Sequence, residues 1–322
     1  MNKFYFNGIS TLSVAVNAAD PKTTAKAAVY RVDEPNARAV AGVFEGSTAY
    51  SDVTYPEHGN HSGGFIGSRA AAAATLKWFG SSNCRFDDDD ATHLRSAIDL
   101  YLRRAKSTLD YEGKPLFGKK ARTFPLSGAL TVVDYPEETA VDCQLLWAGN
   151  CRGYVPDGYG LCQLTEDDCD KEADALTVRT ASQKLTNVIN ADIPYRLNYR
   201  RIHVTEPMML ISSTTAAFDG FGSPMELEYA VLYALIKAKN VAEWEKKLKS
   251  IVADYAEDDF AITIMSVGFG DFDDMKRYYE PRIKELIEKY IRPLNAARKG
   301  EMTVNVGDLW NDYRNGYYRL GD

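Results

Sequence analysis

The stretch from Asp142 to Leu164 constrains the fold more than any other part of the 322-residue chain. Asp142 to Val155 is largely apolar but carries Gly149 and Gly153, which weaken a helix and suit a strand with a kink. A tight turn over Pro156 to Gly160 follows. A second strand, Leu161 to Leu164, then runs into Thr165, Glu166, Asp167 and Asp168, residue types that cap a following turn. Such a hairpin needs a sheet to join, and the flanking sequence supplies one. Thr11 to Val16, Ala27 to Val32, Arg38 to Phe44, Ala129 to Asp134, Arg201 to Val204, Met208 to Ser212 and Phe260 to Val267 all have strand-type content. Between them lie helical patterns at Ser68 to Phe79, Ala91 to Lys106, Pro224 to Ala238 and Ala242 to Ala256. A long helix is expected over Phe272 to Arg298, with a break at Pro281. Strands, a helix pair, more strands and then helices predict an α+β sandwich in preference to a regular βαβ array. The expected division is one domain over 1–267 and a C-terminal helical extension over 268–322 packed on it. Trp310, Tyr313, Tyr317 and Tyr318 make the tail aromatic enough to dock.

Composition removes several function classes. Hydrophobic residues at 45% and charged residues at 26% provide a full core and argue against wholesale disorder. A formal charge of −7 disfavours a nucleic-acid partner, which needs a concentrated basic face. No apolar stretch is long enough to span a bilayer, so no membrane partner is expected. Cys84, Cys143, Cys151, Cys162 and Cys169 are odd in number and form no CxxC pair. Reduced thiols and a cytoplasmic location are the expectation.

Chemistry enters through four separated segments. Trp147-Ala148-Gly149-Asn150-Cys151-Arg152-Gly153-Tyr154-Val155, followed by Gly160 to Asp168, resembles the "GDSR-aromatic" strand and "QLT-x-D" turn of the PPM phosphatases, the protein phosphatase 2C type. Val43-Phe44-Glu45-Gly46 resembles their "VFDG", and Ser62-Gly63-Gly64 the paired glycines that open the first helix. Met209-Leu210-Ile211-Ser212-Ser213-Thr214-Thr215 stands where the family has "LL-x-SDG". Asp258-Asp259-Phe260-Ala261-Ile262-Thr263 resembles the closing "DD-x-T" strand. The likeness covers most of residues 10 to 267 and implies a β-sandwich of two antiparallel sheets flanked by helices.

The resemblance also implies phosphomonoester hydrolysis by two Mn²⁺ or Mg²⁺ ions sharing a water, which needs several carboxylates to offset their repulsion. In this sequence the inventory is short. Glu45 stands for the bridging Asp and Gly46 for the glycine whose carbonyl is a ligand. Asn150, Thr214 and Thr215 stand where the family has acids or an Asp-Gly pair. The N-terminal acidic pair should fall between Asp20 and Val32, where Lys26 sits instead. Asp258 is unchanged, with Asp259 beside it. The expectation is a pseudophosphatase that binds metal weakly or not at all and takes a phosphoprotein or a protein kinase as partner. The alternative is an active but atypical Mn/Mg-dependent serine/threonine phosphatase, with Glu57 and His61 of the inserted loop as minor candidate ligands. Asp87 to Asp90 read as a solvated helix cap, Asp219 as loop and Cys151 as inert packing.

Overall fold

In the computed structural model, the described residues are 6–14 (backbone only), 24–47, 50, 53–81, 84–109, 122–135, 141–170, 174–176, 184–300, 303 and 305–319. The strands are β1 (Phe6–Val14), β2 (Lys26–Asp33), β3 (Arg38–Gly46), β4 (Thr54–Tyr55), β5 (His61–Ser62), β6 (Leu126–Asp134), β7 (Val141–Ala148), β8 (Arg152–Pro156), β9 (Leu161–Gln163), β10 (Asn198–Val204), β11 (Met208–Ser213) and β12 (Phe260–Val267). The helices are α1 (Gly63–Phe79), α2 (Asp90–Lys106), α3 (Thr215–Asp219), α4 (Pro224–Lys237), α5 (Val241–Tyr255), α6 (Phe272–Leu286), α7 (Arg292–Arg298) and α8 (Val306–Tyr317).

Two five-stranded sheets, ordered β1-β12-β11-β8-β9 and β10-β7-β6-β3-β2, pair antiparallel throughout. The expected sandwich flanked by helices is therefore the fold observed. Period-two alternation explains its layers. Ala39, Ala41 and Val43 of β3 point inward with Ala129, Cys143 and Leu145 against Leu210 and Met265 of the opposite sheet. Val40 and Phe44, one residue out of phase, pack under α1 and α2 with Trp78, Leu94, Ile98 and Leu102. On the far side α4, α5, α6 and α8 cover the other sheet around Trp244, Phe260, Tyr279 and Trp310. Residues beyond 267 thus share one apolar core with α4 and β12.

Three sequence expectations need correction. Asp142 to Val155 is two strands, not one. β7 belongs to one sheet and β8 to the other, and the chain crosses between them at Gly149, whose φ of +85° any side chain would resist and whose added Cβ would lie 2.1 Å from Ser127 Oγ. The long helix does not break at Pro281, which lies inside α6. It widens instead into a π turn over Ile287–Ile291, where the Arg292 N–H reaches back to the Ile287 carbonyl just before Pro293, which has no N–H to give. Asp90 is no solvated cap: it is buried and accepts from the backbone N–H groups of Arg85 (3.0 Å), Phe86 (2.8 Å) and Asp87 (3.3 Å), fixing the loop before α2. Among the described residues no helix is long and apolar enough to cross a membrane.

Candidate active site

One end of the sandwich gathers the end of β3, the start of β2, the end of β11 and the approach to β12. Antiparallel register does this directly. Lys26 and Glu45 are cross-strand partners, and both lie on the inward face in phase with Ala28 and Val43. Gly46 can follow because α1 presses on it: a Cβ there would stand 2.3 Å from the Gly64 Cα. The Ser62 hydroxyl accepts from the Phe65 N–H and so starts α1 at that point.

Lys26 is the centre of the arrangement. Its Nζ lies 2.6 Å from Asp258 Oδ2 and 3.4 Å from Glu45 Oε1, and the side chain is only 8% exposed. Burial works to lower the lysine pKa, but the charge of Glu45, with the hydrogen bond and charge of Asp258, outweighs it, and the net shift is upward. Lys26 is therefore an ammonium. Glu45 Oε2 accepts from both the backbone N–H and the hydroxyl of Thr215, each at 2.8 Å. Asp258 Oδ1 accepts from the Asp259 N–H at 2.7 Å. All four oxygens of the two carboxylates thus face protons.

The other family positions point elsewhere. Thr214, fully buried, accepts with its hydroxyl from the Ala261 N–H (2.9 Å) and so ties β11 to β12; Thr215 is the threonine that meets Glu45. Asn150 accepts from the Ser127 hydroxyl at 3.0 Å. Cys151 Sγ lies 3.9 Å from Glu45 Oε2, and burial first, then the glutamate's charge, pushes its thiol well above the ordinary range. Inert packing fits that thiol. Glu57 lies in the turn between β4 and β5, and His61 stacks on Phe65 with ring centroids 3.7 Å apart. Asp219 closes α3.

Sequence reasoning missed Arg69. Its guanidinium lies 3.5 Å from the Phe65 centroid and donates to the Thr24 carbonyl at 2.9 Å, two residues from Lys26. No ion pair joins it to a carboxylate among the described residues, and burial lowers its pKa. The i, i+4 spacing of Phe65 and Arg69 within α1 was the signal available.

Asp258 gives a pH test. Partial burial raises its pKa, but the hydrogen bond and charge of Lys26 outweigh that, and the folded value falls below the usual 3.8. A depressed carboxylate contributes stability that is present above pH 3.8 and lost as pH falls through the folded value. Asp258→Asn should therefore lower the urea midpoint at neutral pH and bring the variant and native curves together below that window.

The donor set does not fit a pair of dications. Two such ions need oxygen ligands facing inward, and here an ammonium stands between the carboxylates while backbone and hydroxyl protons take the remaining oxygens. Asp87, Asp90 and His93 offer ligand atoms within 4.8 Å of one another on the outer side, but Asp90 is spent on the loop backbone.

Comparison with solved structures places this architecture. The chain has the fold of the PPM serine/threonine phosphatases. It is similar to a serine/threonine phosphatase from Staphylococcus aureus at TM-score 0.57 and 13% identity, covering 83% of this chain and 97% of that one. The PPM phosphatase MsPP from Mycobacterium smegmatis, solved with cacodylate, matches at 0.55 and 14%, covering 81% and 98%. The catalytic domain of PstP, solved with 2 manganese ions, matches at 0.54 and 14%, covering 82% and 99%. No protein-family model matches the sequence, and no curated protein does.

Proposed function

We propose that this chain is a pseudophosphatase, a PPM-fold protein that binds phosphorylated protein segments without hydrolysing them. The observation that carries the reading is the Lys26 ammonium between Glu45 and Asp258. A tethered single charge there neutralises the remaining carboxylates, so a dication would have to displace a buried cation that is already hydrogen-bonded. With no metal-bound water there is no nucleophile activated in the way this fold's relatives imply. Arg69 supports the binding half of the proposal. A half-buried guanidinium with no carboxylate partner among the described residues, stacked on Phe65, is a receptor for a phosphoryl group. A phosphoprotein or a partner kinase would present such a group.

Turnover of p-nitrophenyl phosphate with and without added manganese tests this. The native chain should show no metal-dependent hydrolysis. Metal-dependent turnover that disappears in Asp258→Ala would establish the alternative, an atypical working phosphatase.

A further inference from the structure

We propose that the cleft between the β8–β9 turn and α6 binds an organic cation, the protonated amine of a lysine side chain or of a free alkylamine. β8 (Arg152–Pro156) lies between Cys151, which stands against Glu45, and Asp157 at this cleft, so the two places flank opposite ends of one strand. The cavity measures about 190 Å³ and is lined by Asp157, Tyr278, Tyr279, Pro281, Arg282 and Glu285. That volume is below the roughly 300 Å³ at which pockets for drug-sized ligands begin, and it suits a single side chain.

The carboxylates of Asp157 and Glu285 are the acidic groups in the cleft wall. Arg282 is the cation among the residues lining the cleft, and its charge is matched by two carboxylates: Nε and Nη2 donate to Glu228 at 2.7 and 2.9 Å, and Nη1 donates to Glu285 Oε2 at 2.9 Å. Among the described residues Glu285 Oε1 has no such donor, and its side chain is 47% exposed. Asp157 accepts from the Tyr159 N–H at 2.7 Å, from the Gly160 N–H at 3.2 Å and from Arg319, and so is held in place.

The field agrees with this inventory. Asp157 and Glu206 act on Tyr278, and Asp157 and Glu228 on Tyr279, as negative charges, while Arg282 pairs with Glu228 and Glu285 and Arg319 with Asp157. Burial, followed by the charges of Glu206 and Asp157, raises the Tyr278 phenol. Tyr278 and Tyr279 form two walls at 78° with centroids 4.9 Å apart, and Phe269 backs Tyr278 at 5.5 Å. Aromatic walls meeting at an angle beside carboxylates favour an ammonium group through ring quadrupole and charge together. An anion would meet repulsion, and a neutral group would forgo the charge.

Calorimetric titration of the full chain with N-acetyl-lysine methylamide and with cadaverine tests the proposal. Saturable binding is expected, weakened about tenfold or more by Glu285→Gln and by Tyr278→Ala. Both side chains are exposed, and circular dichroism will confirm that the variants fold. Tighter binding of the lysine amide identifies a partner's side chain as the source, and tighter binding of cadaverine identifies a free amine. The proposal is overturned if neither amine binds, if both variants bind as the native chain does, or if the uncharged norleucine amide binds equally well.

Discussion

Lys26→Met should lower the stability of the folded chain by about 3 kcal/mol, the scale on which removing one partner of a buried ion pair acts. Glu45 would remain in its buried position, held by Thr215, and Asp258 would approach it with no cation between them. The loss should shrink when manganese is added, because a ligand that binds only the folded state stabilises it by mass action. The native chain should show no such rescue. Urea unfolding of both proteins with and without manganese reads both effects. An unchanged midpoint in Lys26→Met would mean that the ion pair does little for stability.

Arg282→Met should be at least as severe, costing about 3–5 kcal/mol. The Glu228 side chain has no exposure, and Arg282 holds both of its oxygens while the Tyr313 hydroxyl donates to Oε2 at 2.7 Å. Pairing outweighs burial and keeps Arg282 charged. Tyr313 in turn accepts from the Leu161 N–H at 2.8 Å, so the triad fastens α4, α6 and α8 to the edge strand β9. Removing the arginine alone strands a buried carboxylate. Removing both charges in Arg282→Met with Glu228→Leu should recover most of the loss, since the desolvation cost leaves with the pair. Urea midpoints of the single and double variants check this. A double variant no better than the single one would place the cost in packing and not in the unpaired charge.

The fold was legible because its signals are local. Alternation in β3 and β12, the glycine pair that opens α1 and the Leu94, Ile98 and Leu102 stripe each state an element and a buried face within a few residues. Glu45, Asp258 and the misplaced Lys26 were legible for a related reason, since each sits in or beside a recognisable strand motif. What sequence could not show is which atoms meet. Thr214 and Thr215 are adjacent and chemically alike, and only the way the chain leaves β11 turns one hydroxyl to Ala261 and the other to Glu45. The crossing at Gly149 was hidden because β7 and β8 are both apolar strands, and membership of different sheets is a long-range property. Pro281 was read as a break, yet the packing of Tyr279, Arg282 and Ile283 carries the helix through it. Arg69 escaped notice because nothing local marks a cation as lacking a counter-charge.

Manganese calorimetry on Lys26→Asp beside the native chain addresses the ammonium's role most directly. The substitution removes the tethered cation and supplies a third carboxylate beside Glu45 and Asp258. The native chain should give no saturable heat of binding and the variant should bind manganese measurably. Micromolar binding by the native chain, or identical behaviour of the two, would contradict the account.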